Sequence, residues 1–79
     1  MEKIKAVIEA MIFASDAPLG PEKIRAVFPD VDKKEIKEII DQLANEYHER
    51  QGGILLQEVA GGFQFRTHPE MSQWIKKLK

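Results

Sequence analysis

Apolar residues recur along this chain first at helical spacing, then in alternation, then at helical spacing again. Ile4, Val7, Ile8, Met11 and Ile12 follow i, i+3, i+4, i+7, i+8 order, which predicts a helix from Glu2 to about Ala14 with one core-facing stripe. At about 100° per residue, Ala6, Ala10, Phe13 and Ala14 fall on a second, neighbouring arc. Only Glu2, Lys5 and Glu9 fill the remaining sector, with Lys3 intruding on the arc of small residues. A helix apolar over most of its circumference is expected to be covered on more than one side.

Ser15 to Gly20 reads as a connector. Pro21 suits the first position of a second helix, where its missing N–H costs nothing, and Gly20 is then the N-cap. Ile24, Val27 and Phe28 are expected to face inward before Pro29-Asp30 breaks the helix. A third helix starts at Asp32, with Glu35 placed for a capping box and Val31 and Ile36 placed for a hydrophobic staple. Ile36, Ile39, Ile40, Leu43 and Tyr47 mark its buried stripe. Gln51-Gly52-Gly53 ends it, with glycine expected in the left-handed conformation. Two strands follow, Ile54–Val59 and Phe63–Thr67, around a Gly61-Gly62 turn. Phe63, Phe65 and Thr67 share one face; Gln64 and Arg66 take the other. A last helix begins at Pro69 with Met71, Trp74, Ile75 and Leu78 as its apolar stripe. Three helices, one hairpin and a final short helix make an α+β winged helix, a single domain over residues 1–79.

Composition narrows the function. The chain has 79 residues and no cysteine, so disulfide frameworks and thiol metal sites are excluded. No stretch approaches the ~20 apolar residues of a membrane span, and no signal peptide is visible. Below roughly 80 residues a single core supplies only about 3–5 kcal/mol, and such domains often gain stability by pairing.

Many winged helices read DNA with the third helix and the wing, so charge decides between readings. Twelve basic side chains nearly cancel thirteen acidic ones. The third helix carries Lys33, Lys34, Lys37 and Arg50 against Asp32, Glu35, Glu38, Asp41, Glu46 and Glu49, a balance of four against six. The wing offers Arg66, offset in net charge by Glu58. Phosphate neutralisation supplies most DNA affinity, so this distribution argues against base-specific reading, although Gln42 and Asn45 could reach adenine edges. Lys76, Lys77 and Lys79 form a small basic patch that complements a helix C-terminus. Weak phosphate contact is its alternative reading.

Catalysis has no support. His48 lies on the polar side of the third helix and His68 precedes Pro69 at a helix start, both read as surface or capping residues; Ser15-Asp16 lies in a connector with no histidine near it in sequence. No His/Glu pair has ligand spacing together with a second pair to complete a metal site, and no glycine-rich loop leads from a strand into a helix. No enzyme activity, cofactor, metal or small-molecule substrate is expected. The candidate functional residues are therefore those of an interface: Ala6, Ala10, Phe13 and Ala14 on the second arc, and Trp74. The arc has two readings: it packs beneath the wing and last helix, or it meets another chain, with the alanines permitting close approach and Phe13 as anchor.

Two segments resemble a known family. Glu9-Ala10-Met11-Ile12-Phe13-Ala14-Ser15 leads into Pro18-Leu19 and a short helix. Leu43, Tyr47, Arg50 and Gly53 lead into Glu58-Val59-Ala60-Gly61-Gly62-Phe63, Arg66-Thr67 and Pro69-Glu70. In order and spacing over nearly the whole chain they are similar to the first winged-helix domain of the segregation and condensation protein B (ScpB) family. Gly52 is extra, and Phe63 stands where tyrosine is common. The resemblance implies a non-enzymatic, cytoplasmic, nucleoid-associated subunit of the bacterial SMC complex. It implies a homodimer that binds the kleisin ScpA, and through it SMC, in chromosome condensation and segregation, with a second winged helix following the first. The alternative is a DNA-binding transcriptional regulator of the same fold.

Overall fold

The structure, a computed structural model, describes residues 2–78, with the side chain of Glu2 outside the description. The sector assigned to Glu2 on the first helix and the Lys79 part of the basic patch therefore lie outside the described residues. The elements are α1 (Glu2–Ala14), α2 (Pro21–Val27), α3 (Lys33–Glu49), β1 (Ile54–Val59) and β2 (Gly62–Thr67). A 3-10 turn, Pro69–Met71, then runs into α4 (Ser72–Lys76).

Ile8 and Ile12 of α1, Ile24 of α2, Ile36, Ile40 and Leu43 of α3, Leu56 of β1 and Phe63 of β2 form one buried core. Ile4, Met11, Leu19, Phe28, Val31, Ile39, Ala44 and Phe65 pack against it, half-buried. Each helix contributes one stripe and the hairpin one face, which is how so short a chain closes a core.

Local chemistry sets most boundaries. Gly20 is the extended N-cap of α2, with Pro21 at its start. Asp32 is the extended N-cap of α3, but its side chain makes no cap hydrogen bond, so the expected capping box is not formed. Asp32 and Glu35 are both exposed, and water can serve the free N–H groups there. The left-handed residue after α3 is Gln51 (φ 53°), not a glycine; its N–H donates to the His48 carbonyl at 3.1 Å.

Val27 was expected to face inward and is 57% exposed. Pro21 is buried instead, so the covered arc of α2 runs from Ile24 through Phe28 towards Pro21 and leaves Val27 about 60° outside it. The stripe of the last helix is only partly covered, with Met71 and Ile75 half-buried but Trp74 at 58% and Leu78 at 86% exposure. The 3-10 start advances about 120° per residue and α4 ends at Lys76, so these positions do not align on one face.

The strands pair antiparallel with Leu56 opposite Phe65, Glu58 opposite Phe63 and Val59 opposite Gly62. The turn is therefore Ala60-Gly61, not Gly61-Gly62. Both residues have positive φ, 52° and 81°, the combination of a type I′ turn whose twist matches the strands. Gly62 already belongs to β2 and serves a different purpose: a Cβ there would lie 2.8 Å from the Pro18 carbonyl carbon and 2.9 Å from the Leu19 nitrogen. The missing side chain lets the connector lie on the hairpin. Leu19 N–H donates to the Phe63 carbonyl at 2.9 Å, and Phe63 N–H donates back to the Leu19 carbonyl at 2.8 Å. This one-residue strap fastens the α1–α2 connector to the wing.

Candidate interaction surface on the first helix

The outer arc of α1 is not packed beneath other elements. Ala6, Ala10 and Ala14 are exposed, and Phe13 is 76% exposed. Ala6, Ala10 and Phe13 form one wall of an open groove of about 330 Å3, together with Glu9. Tyr47 and Arg50 from the end of α3, Ile54 of β1 and Phe65 of β2 form the rest. Ala14 continues the arc one turn beyond. Trp74, on α4, is exposed but does not line the groove.

A polar clasp sets the groove's shape. The Tyr47 hydroxyl donates to the Glu9 carboxylate, and Lys5 is paired with Glu46, so the polar sector of α1 faces α3 rather than open water. The hydrogen bond to Glu9 holds the Tyr47 phenol above its ordinary pKa; partial burial and the Glu9 charge add to this, while Arg50 opposes it. The Arg50 guanidinium lies 4.9 Å from the Tyr47 ring centroid. Phe65 meets Tyr47 edge-on at 4.9 Å and Phe13 edge-on at 6.3 Å. Such edge contacts are favourable, and they hold Phe13 at the groove's rim. Nothing here is a nucleophile beside a base; the chemistry is that of an apolar docking face with a charged border.

The sequence pointed to the arc but not to its neighbours. Tyr47 was assigned to the buried stripe, and Glu9, Arg50, Ile54 and Phe65 were not singled out as interface residues. Glu9 and Tyr47 are far apart in sequence, and no local signal joins them.

The DNA-reading surface is weak on geometry too. Lys33 is paired with Glu22 at 2.6 Å, and this hydrogen bond holds the Glu22 carboxyl below its ordinary pKa. Lys37 is paired with Asp41 at 3.7 Å and lies 5.9 Å from the Phe63 ring. With Arg50 over Tyr47, Lys34 is the one basic side chain of the α3 set in none of these contacts.

A second cleft of about 390 Å3 is lined by His48, Gln51, Gly52, Leu55, His68, Glu70 and Met71. His68 has the capping role expected of it, with Nδ1 accepting from the Glu70 N–H at 3.1 Å. Among the described residues, no group of three or more His, Cys, Asp or Glu side chains could hold a metal ion, and no helix is long and apolar enough to cross a membrane.

Residues 6–79 match the family model of the segregation and condensation complex subunit ScpB. A segregation and condensation protein B homolog from Coxiella burnetii is 42% identical over 94% of the chain and 36% of its own length. Segregation and condensation protein B from Geobacillus thermodenitrificans is 41% identical over 94% of the chain and 35% of its own length. The chain thus spans little more than a third of these relatives. Among solved structures, one described as a dimer of the ScpB N-terminal domain complexed with ScpA peptide superposes with a TM-score of 0.87 at 34% identity, covering 99% of this chain and 96% of that one. ScpB from Mycobacterium tuberculosis gives a TM-score of 0.88 at 22% identity over 98% of this chain and 48% of its own, a likeness of fold.

Proposed function

The chain belongs to the segregation and condensation complex subunit ScpB family, and from that membership we propose that it is a kleisin-associated scaffold subunit of a bacterial SMC complex. In this reading it is non-enzymatic, acts in chromosome condensation and segregation in the cytoplasm at the nucleoid, and is the first of two winged-helix domains. It pairs with a second copy and holds a segment of the kleisin ScpA, which links it to SMC.

The observation that carries the reading is the near-complete match to a relative described as an N-terminal domain dimer with ScpA peptide. The open α1 face supports it physically: a folded domain that leaves Phe13 76% exposed beside an apolar groove offers a surface that association would cover. Ala6, Ala10, Phe13 and Ala14 are assigned to this interface, with Trp74 as a separate anchor on α4. The ion pairs on α3 count against the transcriptional-regulator alternative.

Sedimentation of the chain, alone and with a peptide from the central segment of ScpA, tests the proposal. The wild type is expected to be dimeric and to bind the peptide. Phe13→Asp is expected to be monomeric with unchanged circular dichroism. A wild-type monomer at high micromolar concentration that ignores the peptide would sink the proposal.

A further inference from the structure

We propose that the face formed by α2, the first turns of α3 and the tip of the wing is a docking site for an acidic polypeptide segment, separate from the groove on α1.

Two clefts make up this face. One, of about 300 Å3, is lined by Arg25 and Lys33 together with Ala26 and Pro29. The other, of about 450 Å3, is lined by Lys33, Lys34 and Lys37 together with Pro21 and Gly61. Glu22 lines both, and its carboxylate lies 2.6 Å from Lys33 Nζ, so this pair marks the border the two clefts share.

Charge singles the face out. Four basic side chains against one acidic give the two clefts a charge of +3, while the whole chain is −1, so the rest of it carries −4. Lys33, Lys34 and Lys37 fall within an arc of about 100° on α3, close enough to act on one ligand. Among the described residues, Arg25 and Lys34 are in no ion pair. Lys33 is paired, but it and Glu22 are both exposed, and exposed pairs contribute little. Glu22 shows how an acidic partner is received: a carboxylate already sits on Lys33, and a partner carboxylate reaching the border takes its place.

The rest of the lining selects a polypeptide over nucleic acid. Ala26, Pro29 and Gly61 are exposed and offer aliphatic side chains of a partner something to cover, whereas a phosphate backbone has little to bury there. A duplex is also broad and evenly charged. Laid on this face it would cover exposed Glu38, about 40° beyond the lysine arc, and Asp41, one turn after Lys37. A single narrow chain lying in the clefts avoids both. The α1 groove shares no lining residue with these clefts. Tyr47 lies about 20 Å along α3 from Lys34 at 1.5 Å per residue, so the two surfaces can be occupied together.

Fluorescence anisotropy tests this with a labelled peptide of glutamates interspersed with leucines, its glutamine counterpart and a random-sequence DNA duplex. The glutamate peptide is expected to bind in the micromolar range and to weaken as salt rises, and the glutamine counterpart is expected not to bind. R25E and K34E, one in each cleft and neither in an ion pair, should each weaken binding roughly threefold or more with circular dichroism unchanged. Glu22→Gln should tighten it roughly twofold or more, because Lys33 loses its internal partner. The double variant K76E/K77E, on α4, controls for overall charge and should bind as the wild type does, since charges beyond a screening length of about 8 Å act little at physiological salt. An equal loss in that control, or a glutamine peptide that binds as well, would overturn the proposal. So would E22Q binding no more tightly than wild type. A duplex that binds more tightly than the peptide, and is weakened by K34E, would reassign the face to nucleic acid. A peptide from the central segment of ScpA should leave the probe bound; its complete displacement would overturn the separation of this face from the α1 surface.

Discussion

Gly62→Ala should be among the most destabilising single-methyl changes in this domain, and its cost can be worked from the wing. Gly62 lies in β2 without positive φ, so its own backbone accepts alanine. Its neighbours do not. The added Cβ would lie 2.8 Å from the Pro18 carbonyl carbon, 2.9 Å from the Leu19 nitrogen and 3.0 Å from the Leu19 carbonyl carbon. All three are backbone atoms, so no side chain can rotate away. The connector must lift, and the two hydrogen bonds between Leu19 and Phe63 stretch or break. Each is worth about 0.5–1.5 kcal/mol net, and overpacking adds about 1–3 kcal/mol, so a loss of about 2–6 kcal/mol is expected. Against about 3–5 kcal/mol from a core of this size, much of the population would unfold. Gly61→Ala is the control. Gly61 has φ 81° but open space around its Cβ position, so alanine there should cost only about 1–2 kcal/mol, for left-handed backbone. Urea denaturation of wild type and both variants measures the difference from the midpoints at constant slope. If Gly62→Ala unfolds within about 0.5 kcal/mol of wild type, as an unremarkable surface substitution does, the strap is not what requires glycine there.

The Tyr47–Glu9 clasp makes a prediction about alkaline pH. The protonated phenol is the form that donates, and its folded-state pKa is raised above the ordinary value of about 10. Its contribution is therefore complete below pH ~10 and lost as pH rises through the raised value. Tyr47→Phe should cost about 1 kcal/mol at neutral pH, and its melting temperature should fall less steeply than that of the wild type above pH ~10; parallel curves would show that the clasp contributes nothing. Duplex DNA should bind weakly, in the non-specific range of about 10⁻⁴–10⁻⁶ M or worse at physiological salt, measured by fluorescence anisotropy across a salt titration; tight binding with a steep salt slope would restore the DNA-reading alternative.

Much of the architecture was legible because its signals are local. Gly20-Pro21 starts α2, Asp32 stands at the N-cap position of α3, and alternation from Phe63 to Thr67 marks β2, all within a few residues of chain. Where the reading missed, a non-local partner or a small angle decided. The turn moved to Ala60-Gly61 because Gly62 answers to Pro18 and Leu19, some forty residues earlier. Val27 turned outward because buried Pro21 shifted the covered arc of a two-turn helix. Gln51 took the left-handed position although two glycines follow it.

The candidate surface divides the same way. The run of Ala6, Ala10, Phe13 and Ala14 at helical spacing marks a second apolar arc in any amphipathic reading, and sequence alone left open whether the domain itself covers it. The tertiary structure decided that: α3 takes the Lys5–Glu9 flank through Glu46 and Tyr47, the core takes Ile8 and Ile12, and the arc stays exposed among the described residues. The sequence by itself determined the order of elements, the stripes that close the core and the near-neutral charge, because periodicity and composition are properties of the chain. Only the fold brought Tyr47, Arg50, Ile54 and Phe65 beside α1 to make a groove, because a concave surface exists only once segments distant in sequence are held together by a shared core.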